Sequence, residues 1–388
     1  MARAVYKRTK MRSADFMMLV LTLILIIFGV IMVFSSSYYW SIDQYGQPYH
    51  FLIRDIFWVG SGFVLMLGAM IVDYHVLAKQ KVAVGLLILS IMLLGLVLTP
   101  LGQNINGATR WIGIGPLTIM PGEVAKICAI IFVSWYLSDK PERVLSWIRG
   151  VIPMLLLGGV YAGLIMLQPN MSTAITVVFI IMMIMFVAGM KYKHLFVLMG
   201  IGAAGMCALI FMDKDGYRLK RVTSFLDPFK DALGDGYQVV QSLLALGSGG
   251  LTGVGLGKSI QKNLYLPEPQ NDFILAIIGE ELGFIAIILL LLVYMLMIWG
   301  GIRIAMNAPD RFGMLLASGV AAMIGIQVLL NVAVVTSSMP ATGVTLPFIS
   351  YGGNALWMFM ISMGILLNVS RHRVIGTNTV KTENQEIR

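Results

Sequence analysis

The residues best suited to chemistry lie between Gly255 and Gly283, where a polar loop meets an apolar run. This loop carries Lys258 and Lys262, and it ends on Asp272 at the mouth of the apolar run. A carboxylate at such a boundary can act on a substrate whose tail lies in lipid and whose head lies in water. The alternative is that Asp272 only caps the helix that follows, because acids are favoured at helix N-termini. The neighbouring cations and glycines favour the catalytic interpretation.

Two more acids, Glu280 and Glu281, follow two helical turns later, roughly 12 Å deeper by the helix rise. Ionisable side chains at that depth are costly and rarely face lipid. We therefore expect a structural role for both glutamates, through pairing with cations such as Lys126.

A second polar cluster lies in the segment NGATRWIGIGPLTIMPGEVAK. Its Arg110 and Trp111 suit a phosphate and an apolar or sugar face, because guanidinium binds phosphate with directed hydrogen bonds. Glu123 and Lys126 are one helical turn apart and are expected to pair beside a cavity. Trp111 taken alone is also explained as an aromatic residue at the membrane interface.

Two further segments interrupt apolar runs, LQPNMSTA with Pro169 and TGVTLPFISYGGN with Ser350. Both contain turn-forming residues, so turn formation alone explains them as well. The segment GVGLGKS resembles a nucleotide phosphate-binding loop, but the first glycine of that motif falls on Thr252, which excludes it. Two cysteines and four scattered histidines indicate neither a disulfide framework nor a metal site.

Composition identifies the elements that must position these residues. The chain has 388 residues, of which 58% are hydrophobic and 12% charged, and its mean hydropathy is +0.85. These values are typical of an integral membrane protein. We predict one all-α polytopic domain over residues 1–388 with about ten transmembrane helices. The apolar runs cover 16–34, 57–72, 82–98, 124–137, 151–167, 173–188, 195–212, 273–299, 312–335 and 347–367.

The distribution of Lys and Arg predicts the orientation, because basic residues in short loops stay on the cytoplasmic side. Both termini are then cytoplasmic, all four polar clusters lie outside, and the net charge of +9 requires no nucleic acid. Residues 213–271 form a large extracytoplasmic loop between spans seven and eight, with a short helix in YQVVQSLLALGSGG. Residues 377–388 are polar and are expected to be a disordered cytoplasmic tail.

These segments are similar to those of the SEDS family of polytopic peptidoglycan polymerases, whose members include FtsW, RodA and SpoVE. The matching residues run in the family's order through nearly the whole chain, and LPEPQNDF and GVTLPFISYGG resemble the FtsW and SpoVE branch most. The resemblance implies a glycosyltransferase that polymerises lipid II at the outer face of the cytoplasmic membrane, for cell division or sporulation. A lipid II flippase is the alternative from another class. It predicts ionisable groups near the bilayer midplane.

The resemblance also implies roles for particular residues. Asp272 matches the family's essential aspartate and would be the general base of an inverting transfer from an undecaprenyl-pyrophosphate-linked donor. The substrate-binding set that we predict is Arg110, Trp111, Glu123, Lys126, Arg218, Arg221, Lys258, Lys262 and Ser350. Implied partners are a class B penicillin-binding transpeptidase and other divisome or elongasome membrane proteins. No nucleotide is implied, and a divalent cation is left open.

The chain departs from the family pattern at three places. Gly122 stands where the family commonly has Ser, Asn170 where it commonly has Asp, and Asn354 with Ala355 where it commonly has two Ser. The amide at Asn170 argues against a metal or catalytic role for that position. None of these changes touches Asp272.

Overall fold

The computed structural model describes residues 13–105, 108–114, 117–211, 225, 227–234 and 236–372. Within these ranges the chain forms eleven α-helices and one small sheet. The helices are α1 (Phe16–Tyr45), α2 (His50–Ile71), α3 (Gln80–Val97), α4 (Pro121–Asp139), α5 (Ile152–Met166), α6 (Met171–Val187), α7 (Tyr192–Phe211), α8 (Tyr237–Gly249), α9 (Ile274–Met306), α10 (Arg311–Val335) and α11 (Gly353–Arg371).

Helix boundaries follow local capping chemistry. The side chains of Asp15, Asn170 and Asp310 accept backbone N–H bonds at the starts of α1, α6 and α10. Helix α1 ends at Gly46, whose φ of 68° is the left-handed conformation that glycine adopts at little cost. Polar side chains therefore set where three of the apolar helices begin, and a glycine sets where α1 ends.

The predicted membrane-spanning class is confirmed. Seven helical segments in the described ranges are long and apolar enough to cross a bilayer: Phe16–Tyr45, His50–Ile71, Gln80–Val97, Trp147–Met166, Ile274–Met306, Arg311–Val335 and Gly353–Arg371. Helix α6 is apolar but shorter. Every apolar run of the sequence overlaps a helix, although the last run begins in a turn and α11 starts only at Gly353. The count of ten spans stays a prediction.

Helices α10 and α11 lie at the centre of the bundle, where α11 packs along α2 and α10 packs against α4, α6 and α9. The contact between α2 and α11 requires a small residue at Gly364. A Cβ atom there would lie 2.3 Å from the Met66 carbonyl oxygen. Close backbone approach at small residues is a common way for membrane helices to associate.

A three-stranded antiparallel sheet follows α3 and was not expected. It consists of β1 (Gly102–Ile105), β2 (Ala108–Ile114) and β3 (Leu117–Ile119), in the order β1–β2–β3. Trp111 pairs with Gln103, and Ile112 pairs with both Gly102 and Ile119. Strand β2 is the element that carries Arg110 and Trp111.

Both ends of the described chain lie at the same end of the bundle. The Asp15 N–H donates to the Ser370 hydroxyl over 3.0 Å, and Arg303 ion-pairs with the Asp15 carboxylate. Helices α2, α4, α6, α9 and α11 all begin at the opposite end. That opposite end carries the polar clusters of the sequence.

The short helix expected in YQVVQSLLALGSGG is present as α8, which packs mainly on α9. Helix α9 is broken at Gly283, whose φ is 79°. Across this break the Val254 N–H donates to the Glu280 carbonyl and the Phe284 N–H donates to the Gly250 carbonyl, both over 2.9 Å. The glycine-rich turn after α8 is thus fixed to α9 by backbone hydrogen bonds. Residues 213–224, 226 and 235 of the loop, and the predicted tail at 377–388, lie outside the described residues.

Candidate active site

A cavity of about 1030 Å³ opens at the end of the bundle where the polar clusters meet. Its walls come from α2, α4, α6, α10, β2 and the turns that precede α9 and α11. Five of the predicted site residues line it: Arg110, Trp111, Glu123, Lys126 and Asp272. They come from segments up to 162 positions apart in sequence, from Arg110 to Asp272. The expected convergence of these clusters is therefore present in the fold.

Asp272 lies on the cavity wall directly before α9. The N-cap residue of α9 is Phe273, and no side chain caps this helix, so Asp272 does not act as its cap. The Asn331 amide donates to the Asp272 carbonyl over 2.8 Å and to the Val344 carbonyl over 2.6 Å. Asn331 is fully buried on α10 and so fixes the main chain on which the carboxylate is mounted.

Gly343 contacts the acid from the turn before α11. Its φ is 74°, and a Cβ atom added to it would lie 3.2 Å from Oδ2 of Asp272. Both the left-handed backbone and the close approach favour glycine at this position.

The surroundings of Asp272 raise the pKa of its carboxyl to about 6. Loss of hydration on burial is the largest cause, and the nearby Glu268 carboxylate adds to it. The Arg110 guanidinium acts in the opposite direction. An acid with this pKa is mostly ionised at neutral pH yet accepts a proton more readily than an ordinary aspartate, which suits a general base.

Arg110 is held against the turn between α5 and α6. Its Nε donates to the Gln168 carbonyl over 3.3 Å, and its guanidinium also contacts the Pro169 carbonyl. The LQPNMSTA segment therefore orients the arginine toward the cavity. Asn170 in that segment caps α6 by accepting the Thr173 N–H over 3.2 Å.

Glu123 and Lys126 form the expected pair, with 2.7 Å between Lys126 Nζ and Glu123 Oε2. Lys126 also donates to the Gln327 amide oxygen of α10 over 2.9 Å. Lys126 is 2% exposed, and the Glu123 carboxylate neutralises its charge within the cavity wall.

The expected pairing of Glu280 or Glu281 with Lys126 is wrong. Glu281 forms its ion pair with Lys262 at 2.7 Å, and both of its oxygens accept from the Ser35 hydroxyl. Glu280 accepts the Ile260 N–H over 2.9 Å and the Ser259 hydroxyl. The loop before Asp272 folds back along α9, and its residues Ser259, Ile260 and Lys262 contact the two glutamates. Both glutamates anchor that loop, in agreement with a structural role.

Three members of the predicted substrate-binding set do not line the cavity. Lys262 is 2% exposed and forms an ion pair with Glu281, so its charge does not face a substrate in the cavity. Ser350 is buried, and its hydroxyl accepts the Leu346 N–H over 2.8 Å within a turn. Lys258 is exposed outside the cavity wall. Arg218 and Arg221 lie outside the described residues.

The departures from the family pattern also have local explanations. A Cβ atom at Gly122 would lie 3.1 Å from a methyl group of Thr173, which is closer than an ordinary van der Waals contact, so a larger residue would require Thr173 to shift. Asn354 lines the cavity and donates from its amide to the Thr118 carbonyl over 2.8 Å, which joins α11 to β3. Ala355 also lies on the wall.

Several cavity residues were not singled out from the sequence. Arg54 and Trp58 face the cavity from α2, Gln327 from α10 and Glu268 from the loop before Asp272. A charged residue just before an apolar run, as Arg54 is, was the available signal for α2. Gln327 gave a weaker signal, as an uncharged amide in a long apolar helix.

Comparisons with known proteins find relatives over nearly the whole chain. The family described as cell cycle protein, FtsW/RodA/SpoVE, matches residues 15–375. Stage V sporulation protein E of Bacillus subtilis (strain 168) is 43% identical over 368 residues, which cover 94% of this chain and 99% of the relative. A probable peptidoglycan glycosyltransferase FtsW of Geobacter sp. (strain M18) is 38% identical over 93% of this chain and 98% of its own length.

A solved structure has the same fold. It is described as showing structural coordination of polymerization and crosslinking by a peptidoglycan synthase complex. The matched chain superposes with a TM-score of 0.77 at 27% identity, over 94% of this chain and 99% of its own.

Proposed function

We propose that this chain, which belongs to the FtsW/RodA/SpoVE family of cell cycle proteins, is a peptidoglycan glycosyltransferase that polymerises lipid II. The observation that carries the proposal is the position of Asp272. Its half-buried carboxylate lies on the wall of a cavity of about 1030 Å³, in the electrostatic field of Arg110. That volume is at the upper end of the usual range for ligand sites and suits a sugar-phosphate head group.

In the proposed reaction Asp272 takes the proton of the acceptor sugar 4-hydroxyl. The oxygen attacks the anomeric carbon of the growing chain, the bond from that carbon to the pyrophosphate oxygen breaks, and undecaprenyl pyrophosphate leaves. Attack opposite to the leaving group inverts the configuration. A general base of this kind typically contributes 10²–10⁴-fold to the rate.

The leaving pyrophosphate requires positive charge nearby. Arg110 can supply this charge, because β2 and the Gln168 carbonyl hold its guanidinium at the cavity. Lys126 is neutralised by Glu123, so we assign it mainly to shaping the wall. Arg218 and Arg221 remain proposed contributors from the large loop. Positioning and charge stabilisation of this type are commonly the largest catalytic terms.

We further propose that the cavity opens on the extracytoplasmic face and that both termini are cytoplasmic. The hydrogen bond between Asp15 and Ser370 supports a common side for the two termini. The proposed partner is a class B penicillin-binding transpeptidase, which the likeness to a chain of a peptidoglycan synthase complex supports. Division and sporulation are the proposed settings, because the relatives include SpoVE and FtsW.

The test is polymerisation of labelled lipid II by purified protein carrying Asp272→Asn. We expect a rate loss of at least about 10²-fold, the lower end of the contribution of a general base. Asp43→Asn is the matched control, because Asp43 is an exposed acid on α1 outside the cavity. Near-normal glycan synthesis by Asp272→Asn would exclude Asp272 as the base.

Stability separates loss of catalysis from loss of folding. The folded-state pKa of Asp272 is raised from 3.8 to about 6. Because the folded state holds this proton more tightly than the unfolded state, protonated Asp272 stabilises the fold. This contribution is fully present below the unfolded-state pKa of 3.8 and is lost as the pH rises through the folded-state pKa of about 6. The ionised side chain therefore destabilises the protein at pH 8, on the order of 1–3 kcal/mol. A neutral amide removes this cost, so Asp272→Asn should have an equal or higher Tm at pH 8.

A further inference from the structure

A second cluster of ionisable residues lies at the end of the bundle opposite the cavity. Asp73 and His75 follow the end of α2, and His372 follows the end of α11. Helix α2 has 22 residues, so about 30 Å separates this cluster from the cavity end by the helix rise. The cluster therefore takes no part in the transfer reaction.

The three side chains converge closely. One possible ligand atom from each of Asp73, His75 and His372 lies within 4.8 Å of the other two. Oδ1 of Asp73 is 2.5 Å from Nδ1 of His75, and the two imidazole rings meet edge to face with their centroids 5.6 Å apart. Ligands of a tetrahedral zinc ion are about 3.3–3.6 Å apart, since each bond is about 2.0–2.2 Å. A shift of about 1 Å would bring the set to that geometry.

The orientation of His372 is an independent observation that favours metal binding. His372 is 6% exposed, and its Nδ1 lies 3.0 Å from the Asn368 carbonyl oxygen, a contact in which Nδ1–H is the donor. The lone pair of the neutral ring is then on Nε2. Metal-binding histidines are oriented in the same manner, with one nitrogen donating to a carbonyl and the other facing the metal.

The surrounding backbone is fixed before any ion binds. The buried Asn368 side chain accepts the Tyr74 N–H over 3.0 Å and donates to the Met70 carbonyl over 2.7 Å. This amide holds the segment that carries Asp73 and His75 against α11. Asp310 adds a second carboxylate, with its Oδ2 3.4 Å from His75 Nε2.

We propose that Asp73, His75 and His372 form a binding site for a divalent transition metal ion such as Zn²⁺, with Asp310 beside it. Two imidazoles and a carboxylate are a ligand set that zinc accepts. The metal ion would enter the site from the side of Asp73, because the Asp73 side chain is 47% exposed. The ion would join the connection after α2 to the end of α11, and would thereby hold together the ends of the two helices whose opposite ends line the active site.

The experiment measures Zn²⁺ binding to the purified full-length protein, freed of any histidine tag, by competition with a chromophoric chelator. Wild type should bind one equivalent of Zn²⁺. His372→Ala and His75→Ala should bind Zn²⁺ on the order of 100-fold more weakly, because even residues that only hydrogen-bond to a metal ligand contribute 10–100-fold to metal affinity. His50→Ala is the matched control, since His50 begins α2 at the other end of the bundle, and its affinity should be unchanged.

A second measurement, the Tm with and without Zn²⁺, tests the site even if the histidine variants fold poorly. Zn²⁺ should raise the Tm of wild type and of His50→Ala, because an ion that binds only the folded state stabilises it. Asp73→Asn removes a ligand from the exposed side of the cluster, where the core is not disturbed, and should abolish this shift. The proposal is overturned if wild type binds no Zn²⁺. Equal affinity in wild type, Asp73→Asn and His50→Ala overturns it as well.

Discussion

Charge changes around Asp272 should move the acidic limb of the pH–activity profile in opposite directions. Burial and Glu268 raise the pKa of the acid to about 6, whereas Arg110 lowers it. Glu268→Gln should therefore shift the limb to lower pH, and Arg110→Gln should shift it to higher pH. Both residues line the same cavity as Asp272. Both substitutions should therefore be seen as shifts in the midpoint of one ionisation, that of the Asp272 carboxyl.

The size of the wild-type effect follows from the pKa. With a value near 6, about half of the Asp272 side chains are ionised at pH 6 and about a tenth at pH 5. With the ordinary value of 3.8, more than about nine-tenths would still be ionised at pH 5. The rate of a reaction that needs the ionised base should thus fall about tenfold between pH 7 and pH 5.

The assay is the initial rate of glycan formation from labelled lipid II between pH 4.5 and 8. Only the midpoint of the limb is compared, because Arg110→Gln also removes a proposed phosphate ligand and lowers the rate at every pH. Lys258→Gln is the control, since Lys258 is an exposed cation outside the cavity wall. A wild-type midpoint near pH 4 would refute the reasoning, as would shifts of Glu268→Gln and Arg110→Gln in the same direction.

Two further substitutions test how the acid is mounted. Gly343→Ala places a Cβ atom 3.2 Å from Oδ2 of Asp272, on a backbone whose φ is 74°. The kcat for polymerisation should therefore fall. Ala355→Gly is the control, and an unchanged kcat in that variant would show that the cavity wall tolerates small changes. Lys262→Met leaves Glu281 buried without its cation and should lower the free energy of unfolding by about 3–5 kcal/mol. This loss should be measured as a lower Tm. Adding Glu281→Gln to that variant should recover much of the lost stability. Equal Tm values for Lys262→Met and the double variant would contradict the assigned ion pair.

The sequence predicted the cavity well because its polar segments are exceptions in an apolar chain. With 12% charged residues, each charge inside or beside an apolar run requires an explanation, and five of the predicted residues do line one cavity. The pair of Glu123 and Lys126 was predictable because both lie on one helix, where the spacing fixes the distance. Local geometry of this kind is encoded in a short stretch of sequence.

Partners brought together by tertiary folding were not predictable in the same manner. The loop that carries Lys262 folds back along α9, so Glu281 meets a lysine 19 positions earlier in the chain rather than Lys126. The sheet that presents Arg110 was also missed, because its strands have only three to seven residues between two long helices. His75 and His372 are nearly 300 positions apart, and no spacing rule joins them.

The contrast between Asp272 and Glu281 explains how one short segment holds both a structural and a reactive acid. Glu281 is fully buried and is bound by Lys262 and Ser35, and those contacts pin the loop to the helix. Asp272 ends that loop, and Asn331 fixes its main chain, so its carboxylate remains directed at the cavity. Burial is the largest cause of the raised pKa of Asp272, and the Glu268 carboxylate adds to it. The structural acid therefore supplies rigid support for the loop that carries the reactive acid at the cavity wall.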